Sequence, residues 1–270
     1  MLSGISIVCL ASSYALTLAL ELSRLVFRSG LRGALMIGFA TLGLAAHTIL
    51  LTNRAMGSPA TPLASAYDWY LVAAWVLVVM YLTLTFYYPR AAVGLFLLPL
   101  VLALVGAAQL SSDEPSLSRG GALALWAYVH GVTLLLGTVA VLIGFVAGIM
   151  YLLQSRRLKL KKLGGSRIQF PSLERLQRVN ANAIVMSAFM LGLGFLSGTI
   201  GNVISKNMEW SDPVVWSTTL MFVWQMAVVV FSLSYKAARE GRKVAYLTIA
   251  SFLFLVIALA TYVVGHGDRS

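Results

Sequence analysis

Eight apolar runs occupy most of this 270-residue chain, at about 4–23, 34–53, 68–88, 91–109, 122–153, 183–205, 213–235 and 244–264. About 20 helical residues, rising 1.5 Å each, cover roughly 30 Å of hydrocarbon. Inside a bilayer every backbone polar group must find a partner within the chain, so only helices or a closed barrel can cross it. The runs are continuous rather than alternating, which argues against barrel strands. The expected fold class is therefore all-α, a polytopic integral membrane helix bundle of about eight transmembrane helices. Composition agrees. The chain is 59% hydrophobic and 11% charged, whereas soluble domains carry about 25% charged residues.

The basic residues orient the bundle. The links after the first, third, fifth and seventh runs hold Arg24, Arg28 and Arg32, then Arg90, then Arg156, Arg157, Lys159, Lys161, Lys162, Arg167, Arg175 and Arg178, then Lys236, Arg239, Arg242 and Lys243. The opposite side has Arg54, Arg119, Lys206 and Arg269. The positive-inside rule makes the first set cytoplasmic and places both termini outside. Topology thus accounts for the net charge of +11, with no need for a nucleic-acid partner; the partner implied is membrane lipid. The first run has no basic residue before it and no A-x-A site after it, so it reads as a transmembrane helix rather than a cleaved signal. The expected localisation is the bacterial plasma (inner) membrane.

The whole chain, 1–270, reads as one membrane domain, with a four-helix part over 1–120 and a second part over 121–270. In the long cytoplasmic link 154–182, apolar residues at 173, 176 and 179 suit a short helix lying on the membrane surface, although the preferred reading is a simple connector entering the sixth run. Gly144 and Gly148, and Gly194 and Gly198, form G-x-x-x-G pairs that let helix backbones approach closely. Cys9 is the one cysteine, which excludes an internal disulfide, C-x-x-C redox chemistry and a C-x-x-C-H covalent haem site. No general acid–base pair, nucleophile constellation or phosphate loop is present. Self-contained catalysis is not expected.

By this topology all three histidines fall in the outer half. His47 lies about 9 Å below the outer end of the second run. His130 lies about two turns into the fifth, one turn past Trp126. His266 ends the eighth. Ionisable groups inside a membrane are costly and usually functional. Zinc wants three or four ligands at a preformed spacing, and the histidines sit on separate runs. Haem needs one or two axial nitrogens on opposite sides of a plane and a broad apolar wall. An outer loop at 206–216 carries Trp210, Asp212, Pro213 and Trp216, and its tryptophans, with Trp69 and Trp126, could supply that wall or simply form an interfacial aromatic belt.

Leu125-Trp126-Ala127-Tyr128-Val129-His130-Gly131, continuing to Gly148-Ile149-Met150-Tyr151-Leu152-Leu153-Gln154, resembles the cytochrome c assembly protein family. So does Pro171-Ser172-Leu173-Glu174-Arg175-Leu176 ahead of the Gly-rich sixth run. Trp210-Ser211-Asp212-Pro213 resembles the family's tryptophan-rich external segment. The resemblance is carried mainly over about 125–270, and the size and Ala46-His47-Thr48 suit the smaller YpjD and HemX branch. It implies an integral membrane haem-binding protein of c-type cytochrome biogenesis. His130 and His266 would hold a non-covalent, b-type haem by bis-histidine ligation at the external face. Trp210, Asp212, Pro213 and Trp216 would form the haem-facing loop, with His47 as a third ligand or pocket residue. Implied partners are apocytochrome c and other assembly subunits. Val214-Val215 stands where the family has Lys-Glu after Asp-Pro, and Ser234 stands where the CcsA branch has a further histidine. Two alternatives stay open: a HemX-like regulator of haem synthesis, and an electron-transfer subunit with b-type haem between His47 and His130.

Overall fold

The structure, a computed structural model, describes residues 7–23, 30–57, 65–87, 92–111, 122–160, 170–205, 211–234 and 242–267. Among these residues it is entirely helical. The helices are α1 (Ile7–Ser23), α2 (Gly30–Gly57), α3 (Ala66–Tyr87), α4 (Gly94–Leu110), α5 (Ala122–Lys159), α6 (Leu173–Ser205), α7 (Pro213–Ser234) and α8 (Arg242–Gly267). Segments of α2, α3, α5, α6 and α7 are each long and apolar enough to cross a membrane. This is a multi-pass helical membrane protein.

The eight helices follow the eight apolar runs, with one difference. The surface helix expected near 173–179 is not a separate element. Those residues are the first turns of α6, which runs unbroken from Leu173 to Ser205. Apolar character fades at this end, but nothing there stops the helix. Ser172 Oγ accepts from the Arg175 N–H at 3.4 Å, and Glu174 pairs with Arg178 one turn on. α5 likewise extends past its apolar run and ends on Arg156, Arg157 and Lys159, cations that complement the negative end of the helix dipole.

The chain falls into two compact units, one built from α1–α4 and the other from α5–α8. In the first, α1 packs on α2 and α4, and α3 packs on the same two. Leu10, Tyr14, Leu71, Leu77, Leu97 and Leu98 are fully buried there. Ser65 and Asp68 start α3 with a capping box. The Asp68 N–H donates to Ser65 Oγ at 3.2 Å, and the Ser65 hydroxyl donates to Asp68 Oδ2 at 2.9 Å. In the second unit α5 lies along α6, α7 joins α6 to α8, and α8 closes back on α5. Three stacked aromatic pairs hold these interfaces: Phe145–Phe252, Phe195–Phe222 and Trp224–Phe254.

Candidate functional site

Glycines on α6 make the seat for His130. A Cβ at Gly198 would lie 2.7 Å from both Cε1 and Nδ1 of the imidazole. Only hydrogen at that position leaves room for the ring. One turn earlier, a Cβ at Gly194 would lie 2.7 Å from Leu134. The close approach this permits brings the Gly194 carbonyl within 2.7 Å of His130 Nδ1. A carbonyl can only accept, so Nδ1 carries the proton and donates it. In the neutral ring Nε2 then carries the lone pair, the form in which histidine ligates metals. The Gly194 oxygen also accepts from the Ser197 hydroxyl at 3.0 Å.

His130 lines a groove formed by α5, α6 and α7. Leu134, Leu191 and Met221 line its apolar part. Phe195 and Phe222 lie on its wall, stacked 4.9 Å apart and 6° from parallel. Gly198, Thr199, Asn202, Val215 and Thr218 complete the lining among the described residues. The cavity holds about 160 Å³ and is partly open. A mostly apolar lining with a few polar groups is the usual character of small-ligand sites.

α8 approaches this level by register. It runs antiparallel to α5, with Phe145 stacked on Phe252 at 3.9 Å and Gly148 pressed on Thr248 and Ala245. Fifteen residues back along α5 from Phe145 is His130, and fifteen onward along α8 from Phe252 is position 267. The α8 backbone near His266 is thus carried to the depth of His130. The His266 side chain lies outside the described residues, as does Trp210.

The other candidates fall as follows. Asp212 is buried at the start of α7, where its carbonyl accepts the Trp216 N–H at 3.2 Å. Pro213 takes the first helical position, where its missing N–H costs nothing. Trp216 is 67% exposed on α7 and does not line the groove. Trp126 is half-buried one turn before His130. His47 belongs to the α1–α4 unit. Its ring is fully buried, and Nδ1 is 3.1 Å from the Tyr14 hydroxyl. Among the described residues no three His, Cys, Asp or Glu side chains gather as a metal cluster.

The groove residues Phe195, Thr199, Asn202, Met221 and Phe222 escape sequence reasoning, which sees α6 and α7 only as apolar spans. The one signal that pointed here was the Gly194/Gly198 pair. It reads as helix packing from sequence, and in the structure it also seats the imidazole.

The fold and this groove define a class: a helical membrane protein with an imidazole set in an apolar, aromatic-walled notch. Residues 36–266 match the family model described as Cytochrome C assembly protein, and the chain belongs to that family. The match reaches well ahead of 125, taking in most of α2 and all of α3 and α4. No curated protein and no solved structure matches it. Membership gives the chain a role in c-type cytochrome biogenesis, in a family whose business is haem.

Proposed function

We propose that this protein binds haem non-covalently in the α5–α7 groove, with His130 Nε2 as one axial ligand and His266 as the other. The observation that carries the reading is the hydrogen bond from His130 Nδ1 to the Gly194 carbonyl. Metal-ligating histidines almost always donate their second ring N–H to such an acceptor, which fixes the tautomer and raises the basicity of the ligating nitrogen. The groove residues fit the group. Gly198 leaves space at the ring, the Phe195–Phe222 stack offers a flat apolar wall, and Thr199, Asn202 and Thr218 offer polar atoms. A cavity of about 160 Å³ is smaller than an enclosing ligand pocket, so this groove is a partial seat with an open side.

When bound, haem supplies an iron centre that two imidazoles would hold six-coordinate. The chain's own part is to present a neutral His130, keep water from the apolar floor and expose the ligand through the open side. By the positive-inside argument this end of α5 faces the exterior of a bacterial inner membrane. The role is then to hold or present haem there for c-type cytochrome assembly, with apocytochrome or other assembly subunits as recipients. The Asp212-Pro213 start of α7, with Trp210 and Trp216, would border the site.

The test is an absorption spectrum of protein purified from haem-replete cells. A bis-histidine Soret band is expected in the wild type, absent in His130→Ala and shifted or weakened in His266→Ala. His47→Ala should keep it. A wild-type preparation without any Soret band sinks the proposal. Loss of the band in His47→Ala, with retention in His266→Ala, would overturn the pairing of His130 with His266.

A further inference from the structure

Two hydrogen bonds tie α7 to α8. Ser217 Oγ and Thr261 Oγ1 lie 2.8 Å apart, and either hydroxyl can donate. Two turns further along α7, the Trp224 indole N–H donates to Ser251 Oγ at 3.1 Å, and the Trp224 ring stacks on Phe254 at 4.8 Å. Ser217 precedes Trp224 by seven residues, and Thr261 follows Phe254 by seven. The two contacts thus share one antiparallel register, and at 3.6 residues per turn they fall on one stripe of each helix.

The upper contact bears on His266. Position 266 lies eighteen residues past Thr248, which is five full turns. Thr248 presses on Gly144 and Gly148 of α5. Position 266 therefore continues the α8 stripe that packs on α5, the helix of His130. Among the described side chains, the Ser217–Thr261 pair is the last hydrogen bond from α8 to another helix before that position, five residues short of it. Thr261 Oγ1 also lies 2.9 Å from the Ala258 carbonyl, which holds the hydroxyl against its own backbone. On α7 the residues beside Ser217 belong to the groove, because Val215, Thr218 and Phe222 line it. The pair thus links the groove wall to the part of α8 that carries His266.

Ligation by two helices tolerates little error. A slip of one residue between α7 and α8 would move position 266 by about 1.5 Å and turn it by about 100°. A binding constellation has to be held to about 0.5 Å. Hydroxyls that bond across helices are a usual means of fixing such contacts inside a membrane. We propose that Ser217 and Thr261 are positioning residues: their hydrogen bond sets the depth and rotation at which α8 presents His266 to the groove. The proposal rests on haem being held by His130 and His266, and it assigns the second ligation to a contact on the far side of the groove wall from the iron.

The test uses the full chain purified in detergent, with the absorption spectrum and Tm of each variant measured side by side. The wild type should hold six-coordinate, low-spin haem. Thr261→Val keeps the side-chain shape and removes the hydroxyl. It should move the spectrum toward that of His266→Ala, with high-spin haem on His130, and weaken haem binding by about tenfold or more. Thr261→Ser should keep the wild-type spectrum. Ser217→Ala should reproduce the Thr261→Val spectrum, and it decides the matter should Thr261→Val fail to fold. The double variant should be no worse than either single one, as for two partners of one contact. Ser251→Ala removes the other α7–α8 hydrogen bond, farther from His266. It should lower Tm and leave the spin state alone. A low-spin spectrum in both Thr261→Val and Ser217→Ala, or the same spin change in Ser251→Ala, would overturn the positioning role and leave bis-histidine ligation standing. A wild type with no Soret band would overturn that ligation, and the positioning role with it.

Discussion

The His130 imidazole and the Gly194 carbonyl face each other across the α5–α6 interface at 2.7 Å, and that contact selects the tautomer of the ring. A backbone acceptor cannot be removed by mutation, but it can be pushed away. A Cβ at Gly194 would lie 2.7 Å from Leu134 Cδ2 and 3.2 Å from Thr133 Oγ1. Gly194→Ala is expected to separate α5 from α6, lengthen the bond and weaken haem binding by roughly 10–100-fold, as loss of an outer-shell partner does elsewhere. Haem titration of the purified variant measures this. Unchanged affinity would mean that the hydrogen bond is only structural.

Gly198→Ala separates helix propensity from the site. Alanine is favoured over glycine inside a helix by about 1 kcal/mol, so an idle position would gain stability. Here the new methyl would meet the imidazole at 2.7 Å. The expected variant is folded and inserted but binds haem at least tenfold more weakly. Gly201→Ala is the internal control. Nothing lies within 4 Å of a Cβ there, so haem occupancy should match wild type by absorbance per protein.

Why some of this was legible in the sequence follows from range. A bilayer imposes length and apolarity on each span separately, so the eight helices can be read from local composition. The α6 boundary could not, because hydropathy marks the edge of the membrane rather than the end of a helix. Glu174–Arg178 pairing and the Ser172 cap carry α6 on through polar residues. His130 stood out because ionisable groups are rare in apolar spans. Its seat did not, because Gly198, Phe195 and Phe222 meet it through packing between helices 60 or more residues apart in sequence.

The Phe195–Phe222 stack should contribute to binding through shape and area. Such pairs contribute about 0.5–1.5 kcal/mol beyond burial. Both rings lie on the groove wall, at 4.9 Å and nearly parallel. Phe222→Ala is expected to lower haem affinity by about tenfold, a change that corresponds to about 1.4 kcal/mol. The His130 ligation should survive. The Soret position should therefore hold while the titration midpoint moves. A shifted band would mean that the ring sets the ligand geometry as well.

The last prediction concerns the other unit and tests its independence. Arg54 Nε donates to Asp68 Oδ1 at 2.5 Å, and the guanidinium carbon lies 4.5 Å from the Tyr67 ring centroid. Asp68 is 5% exposed and also belongs to the α3 capping box. The Arg54 side chain is 28% exposed and Asp68 still accepts from Ser65, so losing the cation leaves a buried carboxylate at a cost below the roughly 3–5 kcal/mol of a fully buried pair, whereas removing both charges is milder. Arg54→Leu should therefore lower the unfolding temperature clearly. Arg54→Leu with Asp68→Asn should recover much of the loss, because asparagine keeps a capping oxygen without the charge. Haem per folded protein should stay at the wild-type level in both, because His130, Gly194 and Gly198 all belong to the α5–α8 unit. Haem lost in step with Arg54→Leu destabilisation, and restored by the double variant, would show that the α1–α4 unit has to be intact for the groove to work.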